Sequence, residues 1–207
     1  MGELVVRRIL NPTEDEIERG SAVLTAAFRL SHDTFGESIV GGNRDLDNAL
    51  HQAHMRAGAI GGELWVAGFG PEDIAAVVVW FGPGADFLDS EEQREVGWNH
   101  VQSKFTPELQ KWWSDYFLPR HSVWKAACLD KDTTRNSWQL QLLGTSPDHQ
   151  HKGLGATLIK PVEAKAMLDG SMMCLETTNE PNVSFYKHLG FVVRGTSASS
   201  VWRGRLQ

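Results

Sequence analysis

Two cysteines, Cys128 and Cys174, are too few for a secreted disulfide framework and are not spaced for zinc. A reducing compartment follows. Positive charge is in deficit, 20 basic against 26 acidic side chains for a formal net charge of -6, which repels nucleic acid and anionic lipid. No window approaches the roughly 18 apolar residues of a membrane span. The opening MGELVVRRIL lacks a long apolar stretch, and Val6 stands where a myristoylation signal needs Ser or Thr. A cytoplasmic protein is expected, with the nucleus left open. His149, His151 and the two cysteines lack metal spacing, so no metal site is expected, and the two loop histidines read as solvated. No repeat, linker or low-complexity tract divides the chain, so residues 1–207 are expected to form one domain.

What is present alternates. Leu4 to Ile9 reads as a strand, and Pro12-Thr13 before Glu14, Asp15 and Glu16 is an acidic helix start leading into Ile17, Val23, Leu24, Ala27 and Phe28. Asp45 to Ala57 is helical in content, with Gly58 to Gly62 as its break. Glu63 to Phe69 and Ile74 to Phe81 form a hairpin across Gly70-Pro71-Glu72-Asp73. A long insert, 83–136, holds Leu109, Trp112, Trp113, Tyr116 and Phe117 at helical spacing between Thr106 and Phe117. Ser137 to Thr145 is the next strand, and Ala156 to Leu168 a helix that Pro161 should kink. Ser171 to Thr178 reads as a strand buried on both faces. Asn182 to Leu189 is a short helix ended by Gly190, and Phe191 to Arg194 plus Ser200 to Arg203 supply two closing strands. The sum is an α/β (α+β) fold: a mixed central sheet of about seven strands flanked by helices, with the insert between strands 3 and 4.

Between the strand at Thr145 and the following helix runs SPDHQHKGLGATL, residues 146–158. A glycine-bearing turn at a helix start leaves N–H groups unpaired where the helix dipole favours negative charge, so phosphate is the expected guest. A nucleoside-triphosphate loop needs Gly-Lys-Ser/Thr, whereas Lys152 precedes Gly153. A dinucleotide loop is half met by Gly153 and Gly155, with Glu176 as the ribose acid, but Leu158 replaces its third glycine.

Q-x-x-G-x-G fits better, met by Gln150, Gly153 and Gly155. A second pattern follows after one helix and one strand, N-x-x-x-Y-x-x-x-G-F from Asn182 through Tyr186 to Gly190-Phe191. The pair resembles the signatures of the GNAT superfamily of N-acetyltransferases, which bind acetyl-CoA. GTSPDHQHKGLG and CLETTNEPNVSFYKHLGF are similar in particular to the puromycin N-acetyltransferase branch. This likeness covers residues 137–194 well, the hairpin loosely and the insert hardly at all.

The resemblance implies acetyl transfer from acetyl-CoA to a primary amine of a small molecule, by direct attack in a ternary complex. The alternatives are a protein or peptide N-acetyltransferase and a non-catalytic CoA-binding regulatory module. Backbone N–H groups of His151, Lys152, Gly153, Leu154, Gly155 and Ala156 would hold the pyrophosphate, with Gln150 and Lys152 adding side-chain donors. Glycine at 153 and 155 would let backbone approach phosphate. Leu143, Gly144 and Thr145 would lie on a splayed strand end holding pantetheine and the thioester carbonyl. Tyr186 would protonate the leaving thiolate, since a phenol near pKa 10 matches a thiol of about 8.5 to 10. Asn182 would cap its helix and could reach the pantetheine amide. An ammonium has no lone pair, so a base is required. Glu176 is the candidate, on the strand face of Met172 and Cys174, the other reading being a structural carboxylate paired with a loop. Cys174 reads as packing rather than carrying an acyl group. Trp98, Trp112, Trp113, Tyr116, Phe117 and Trp124 of the insert could wall an acceptor pocket for a bulky cationic amine or form a helix core.

Overall fold

Six successive buried residues, Ala76–Phe81, make up β3, which lies at the centre of a five-stranded sheet. A computed structural model describes residues 2–31 and 34–196 of the chain. Strand order follows the sequence: β1 (Val5–Ile9), β2 (Glu63–Gly68), β3, β4 (Trp138–Thr145) and β5 (Met173–Leu175). The first four pair antiparallel and β4 pairs β5 in parallel. Helix α1 (Glu14–Leu30) and helix α2 (Asp47–Gly61) precede the β2–β3 hairpin. Helix α3 (Leu118–Cys128) closes the insert, α4 (Leu154–Asp169) links β4 to β5, and α5 (Glu180–His188) follows β5.

Period-2 alternation sends the β3 side chains to two cores. Val77, Val79 and Phe81 meet Ile17 and Leu24 of α1 and Met55 and Ala57 of α2. Ala76, Val78 and Trp80 meet Leu154, Leu158, Ile159 and Val162 of α4. Covered on both sides, β3 needs no polar face, hence its unbroken apolar run. Helix α1 starts where the acidic cluster predicts. Thr13 accepts from the Glu16 N–H while the Glu16 carboxylate accepts from the Thr13 N–H, a capping box. That Thr13 N–H, with Arg7 at 2.8 Å, holds the Glu16 carboxyl below its ordinary range.

Several expectations change. Gly58 to Gly62 do not break α2, which runs to Gly61. A Cβ on Gly58 would stand 2.5 Å from Val79 Cγ1, so its glycine serves close packing on β3. The strand expected over 171–178 is confined to Met173–Leu175, and it is not buried on both faces: Met172 is 47% exposed. Phe191 to Arg194 form no strand, and Ser200 to Arg203 lie outside the described residues. The sheet therefore has five strands among the described residues, against about seven expected. Helix α4 passes through Pro161 as one element. The insert is helical, including Glu91–Gln93, Asn99–Gln102 and a run from residue 107 through α3. No helix among the described residues is long and apolar enough to cross a membrane.

Within that run Pro119 has no N–H for the Asp115 carbonyl, and its ring crowds that position. The backbone widens into a π-turn, Trp112–Phe117, in which the Leu118 N–H reaches back to the Trp113 carbonyl. Residues five apart point about 140° apart in a regular α-helix. Here Trp112 and Phe117 instead stack, with ring centroids 5.2 Å apart at 13°.

Candidate active site

The 146–153 loop leaves β4 through a single helical turn, Pro147–His149, and then adopts left-handed backbone twice, at His151 (φ 60°) and at Gly153 (φ 81°). Glycine tolerates this conformation freely; at His151 it carries strain of about 1–3 kcal/mol. The benefit is geometric, because such alternation turns successive N–H groups into one concavity suited to an anion. Among the described residues no backbone N–H from His151 to Ala156 has a hydrogen-bond partner. The first engaged donor is the Thr157 N–H, on the Gly153 carbonyl at 3.0 Å. Six successive donors at the start of α4 are thus unpaired among the described residues, an arrangement suited to an anion.

The loop side chains do less than expected. Gln150 Nε2 donates to the Thr145 carbonyl at 3.3 Å, and Lys152 Nζ donates to the Asp148 carbonyl at 2.8 Å. Both secure the loop itself. His151 is exposed, but His149 is half-buried: its ring lies 5.5 Å from that of Phe69, and its buried Nδ1 has no partner among the described residues. Gly155 differs from Gly153, for its φ is not positive and a Cβ would meet Phe185, Leu143 and Thr145 at ordinary distances of 3.5 to 3.8 Å. Its lack of a side chain keeps open the space between those three residues.

Beside the loop, the sheet opens. Strands β4 and β5 pair only at Trp138–Met173, Gln139–Cys174 and Leu140–Leu175, after which β4 continues to Thr145 with β3 alone. Backbone groups of Leu143, Gly144 and Thr145 that point away from β3 have no strand opposite them. A register shift leaves Gln141 as an extra residue where the separation begins. Such a bulge exchanges the two faces. Trp138 and Leu140 face α4, Leu142 turns toward α1, and Leu143 faces α4 again. Gly144 lies against Leu24 and Ala27 of α1.

Tyr186 of α5 belongs to the core on the α4 side of the sheet, buried between Phe185 and Phe191 at ring distances of 5.0 and 5.7 Å. Burial pushes its phenol well above the ordinary range, so it holds its proton. The α5 cap is Asn179, whose side chain accepts from the Asn182 N–H at 2.9 Å; Asn182 is exposed and does not cap, because the helix begins two residues earlier than expected.

Glu176 lies just past β5, and the insert reaches it. Its Oε2 stands 2.6 Å from His121 Nε2 and its Oε1 3.8 Å from Lys125 Nζ, both on α3. Lys125 also donates to Gln139 of β4 at 2.9 Å. The carboxylate is paired with a neighbouring segment, and it stands at the vertex of the strand opening. His121 and Lys125 escaped the sequence reading; the signal available was Phe117-His121-Lys125, one helix face at i, i+4 spacing. Burial pushes the Cys174 thiol up to about 11, against the pull of Lys125, which leaves it protonated and packed.

The six insert aromatics divide, Tyr116 stacking on Trp112 with ring centroids 6.3 Å apart. Trp98 and Trp113 are core with Phe105 and Leu109, and the Trp113 indole donates to the Ile39 carbonyl at 3.0 Å. Phe117 stacks on His121 at 5.3 Å, extending the Trp112–Phe117 stack to Glu176, while Trp124 lies 6.0 Å from His121.

Residues 121–193 match the family model described as acetyltransferase (GNAT) domain, a span that begins at His121 and contains β4, the loop, α4, β5 and α5. A Corynebacterium glutamicum protein described as histone acetyltransferase HPA2 and related acetyltransferase shares the fold, with a TM-score of 0.55, 19% identity, and 95% of this chain and 89% of that one covered. So does a mutant agmatine N-acetyltransferase in its apo form (TM-score 0.52, 18% identity, 91% and 82% covered). A transcriptional regulator from Bacillus halodurans shares it as well (TM-score 0.50, 14% identity, 96% and 99% covered). The chain carries a GNAT domain match over its site and the mixed α/β fold of acetyltransferase structures.

Proposed function

We propose that the protein is an acetyl-CoA-dependent N-acetyltransferase that acts on a primary amine of a small molecule by direct attack in a ternary complex, the whole chain serving as one catalytic unit. The observation that carries this reading is the junction of six unpaired N–H groups, residues 151 to 156, with the opened edge of β4. When bound, acetyl-CoA supplies an activated acyl thioester. The loop N–H groups grip its diphosphate. Backbone groups of Leu143 to Thr145 on the edge that β5 leaves open, apart from the Thr145 carbonyl held by Gln150, orient the pantetheine arm, and an N–H aimed at the thioester oxygen stabilises the charge that develops there by about 3 kcal/mol. Tyr186 gives its proton to the leaving sulfur, its burial keeping it a neutral phenol until a thiolate is generated beside it. Asn182, exposed at the first turn of α5, is free to meet the pantetheine amide.

A small acceptor is favoured over a protein segment because α3 lies across the vertex of the opening, tied to Gln139 and Glu176. One protein of the same fold is an agmatine N-acetyltransferase, so this framework accommodates small amine acceptors. Two free cysteines fit a reducing, cytoplasmic setting. The test is release of free thiol from acetyl-CoA across polyamines, aminonucleosides, amino acids and peptides. Activity on small amines with a silent Gly155→Glu control is expected, since that side chain would fill the space between Phe185, Leu143 and Thr145. Turnover confined to peptides would transfer the reading to a protein acetyltransferase. Cofactor binding with no turnover on any amine would indicate a CoA-binding module.

A further inference from the structure

The acceptor amine must surrender a proton, and the vertex of the strand opening holds two groups able to take it, Glu176 and His121. We propose that His121, brought to the site by the insert, removes that proton through Nδ1, and that Glu176 is its positioning carboxylate. The inference rests on the acetyl-transfer reading above.

An ionised carboxylate only accepts hydrogen bonds, so the 2.6 Å contact assigns the imidazole proton to Nε2 and leaves the lone pair on Nδ1. Nδ1 has no partner among the described residues, and the side chain remains 30% exposed. The ring is held in place: Phe117 stacks on it at 5.3 Å and 25°, Trp124 lies 6.0 Å away, and Lys125, one turn along α3, anchors the helix to Gln139. Its location follows from the register. Glu176 is the first residue after Leu175, whose partner Leu140 is the last β4 residue paired with β5, so the dyad stands opposite the Gln141 bulge.

An imidazole also suits the task chemically, because one ring nitrogen can hold the carboxylate while the lone pair of the other takes the proton. In the step, the ammonium N–H bond breaks and an N–H bond forms at Nδ1. The freed lone pair attacks the thioester carbonyl, the C–S bond breaks with the Tyr186 proton going to sulfur, and the second proton lost by the nitrogen restores the Tyr186 phenol. The imidazolium rests against the Glu176 carboxylate, and its Nδ1 proton then leaves to solvent. Ionisable groups about the ring are Glu176 and Cys174 from the β5 side, Lys125 and Arg120 on α3, and Asp86, which acts on Cys174 from the loop after β3. Arg120 is turned away over the Tyr116 ring at 4.0 Å.

The experiment measures kcat against pH, with an amine found active in the thiol-release assay, for the wild type, His121→Ala and the more conservative His121→Gln, alongside calorimetric acetyl-CoA binding. We expect turnover to fall about 100-fold or more, the acid limb of the profile to vanish, cofactor affinity to stay within twofold, and free imidazole to restore part of the His121→Ala rate. Glu176→Gln should lower kcat and displace the limb without changing cofactor affinity. An unmoved acid limb in both His121 variants, whatever the loss of rate, overturns the proton-transfer role and leaves the acetyl-transfer reading standing. If His121→Ala does not fold, His121→Gln decides alone by the same limb. A wild type that releases no thiol with any amine removes the acetyl-transfer reading and this assignment together.

Discussion

At position 151 an ordinary side chain holds left-handed backbone, and the neighbouring N–H groups face no protein partner. If the main chain grips the phosphates, His151→Gly should relieve strain and keep the donors. Melting should rise by a few degrees, and acetyl-CoA affinity, read by calorimetry, should change less than threefold. Loss of binding would mean that the imidazole, not the backbone, is the contact. Tyr186→Phe tests the other half of the site. Its hydroxyl makes no hydrogen bond among the described residues, so stability should hardly move, while turnover in the thiol-release assay falls about 100-fold or more with cofactor affinity within twofold. Single residues were legible where a short local motif names them, as Q-x-x-G-x-G names Gly153, although the reason read was close backbone approach to phosphate and the structure adds a positive φ there. They were illegible where the partner is distant: His121 and Glu176 are 55 positions apart, and no local rule joins them.

Elements were legible where their own pattern decides them. The acidic start after Thr13 marked the beginning of α1 and the unbroken apolar run marked β3, whereas α2 passes two glycines that read as a break because its packing on β3 outweighs propensity. That inversion can be measured. Gly58→Ala gains at most about 1 kcal/mol of helix propensity, but its Cβ would lie 2.5 Å from Val79 Cγ1. Overpacking of this kind costs about 1–3 kcal/mol, so denaturant unfolding should show net destabilisation. In the background of Val79→Ala the same substitution should be neutral or favourable, a coupling of about 0.5–3 kcal/mol. Strict additivity would show that α2 does not press on β3 there. The π-turn before α3 and the shortness of β5 were not legible, for no local pattern ends β5 at Leu175. Pro119 marks the first only once the helix is known to pass through it.

For the molecule as a whole, buried titratable groups set a pH window. His51 and His54 of α2 are buried, His51 beside Thr25 Oγ1 of α1 at 2.8 Å and His54 stacked at 4.2 Å on Phe87 of the loop after β3. Burial lowers their pKa values to about 3 and about 4 from an ordinary 6.5, His54 and the cations Arg29 and Arg44 adding to the effect on His51. The unfolded chain binds these protons first. Stability is therefore complete above pH 6.5 and declines as pH falls, by up to about 1.4 kcal/mol per pH unit for each histidine, until the folded values are reached. On the alkaline side Cys174 and Tyr186 are raised by burial, so the folded chain keeps protons that the unfolded chain gives up. Their contribution is present below their ordinary values of 9.0 and 10.0 and is lost as pH rises beyond them. Urea unfolding across pH 4 to 10 should accordingly trace a plateau between about 6.5 and 9. His54→Leu should flatten the acid slope without altering the alkaline one. An acid slope unchanged in that variant and in His51→Leu would assign it to carboxylates such as Glu16, whose lowered value places its own loss at more acidic pH, below 4.5.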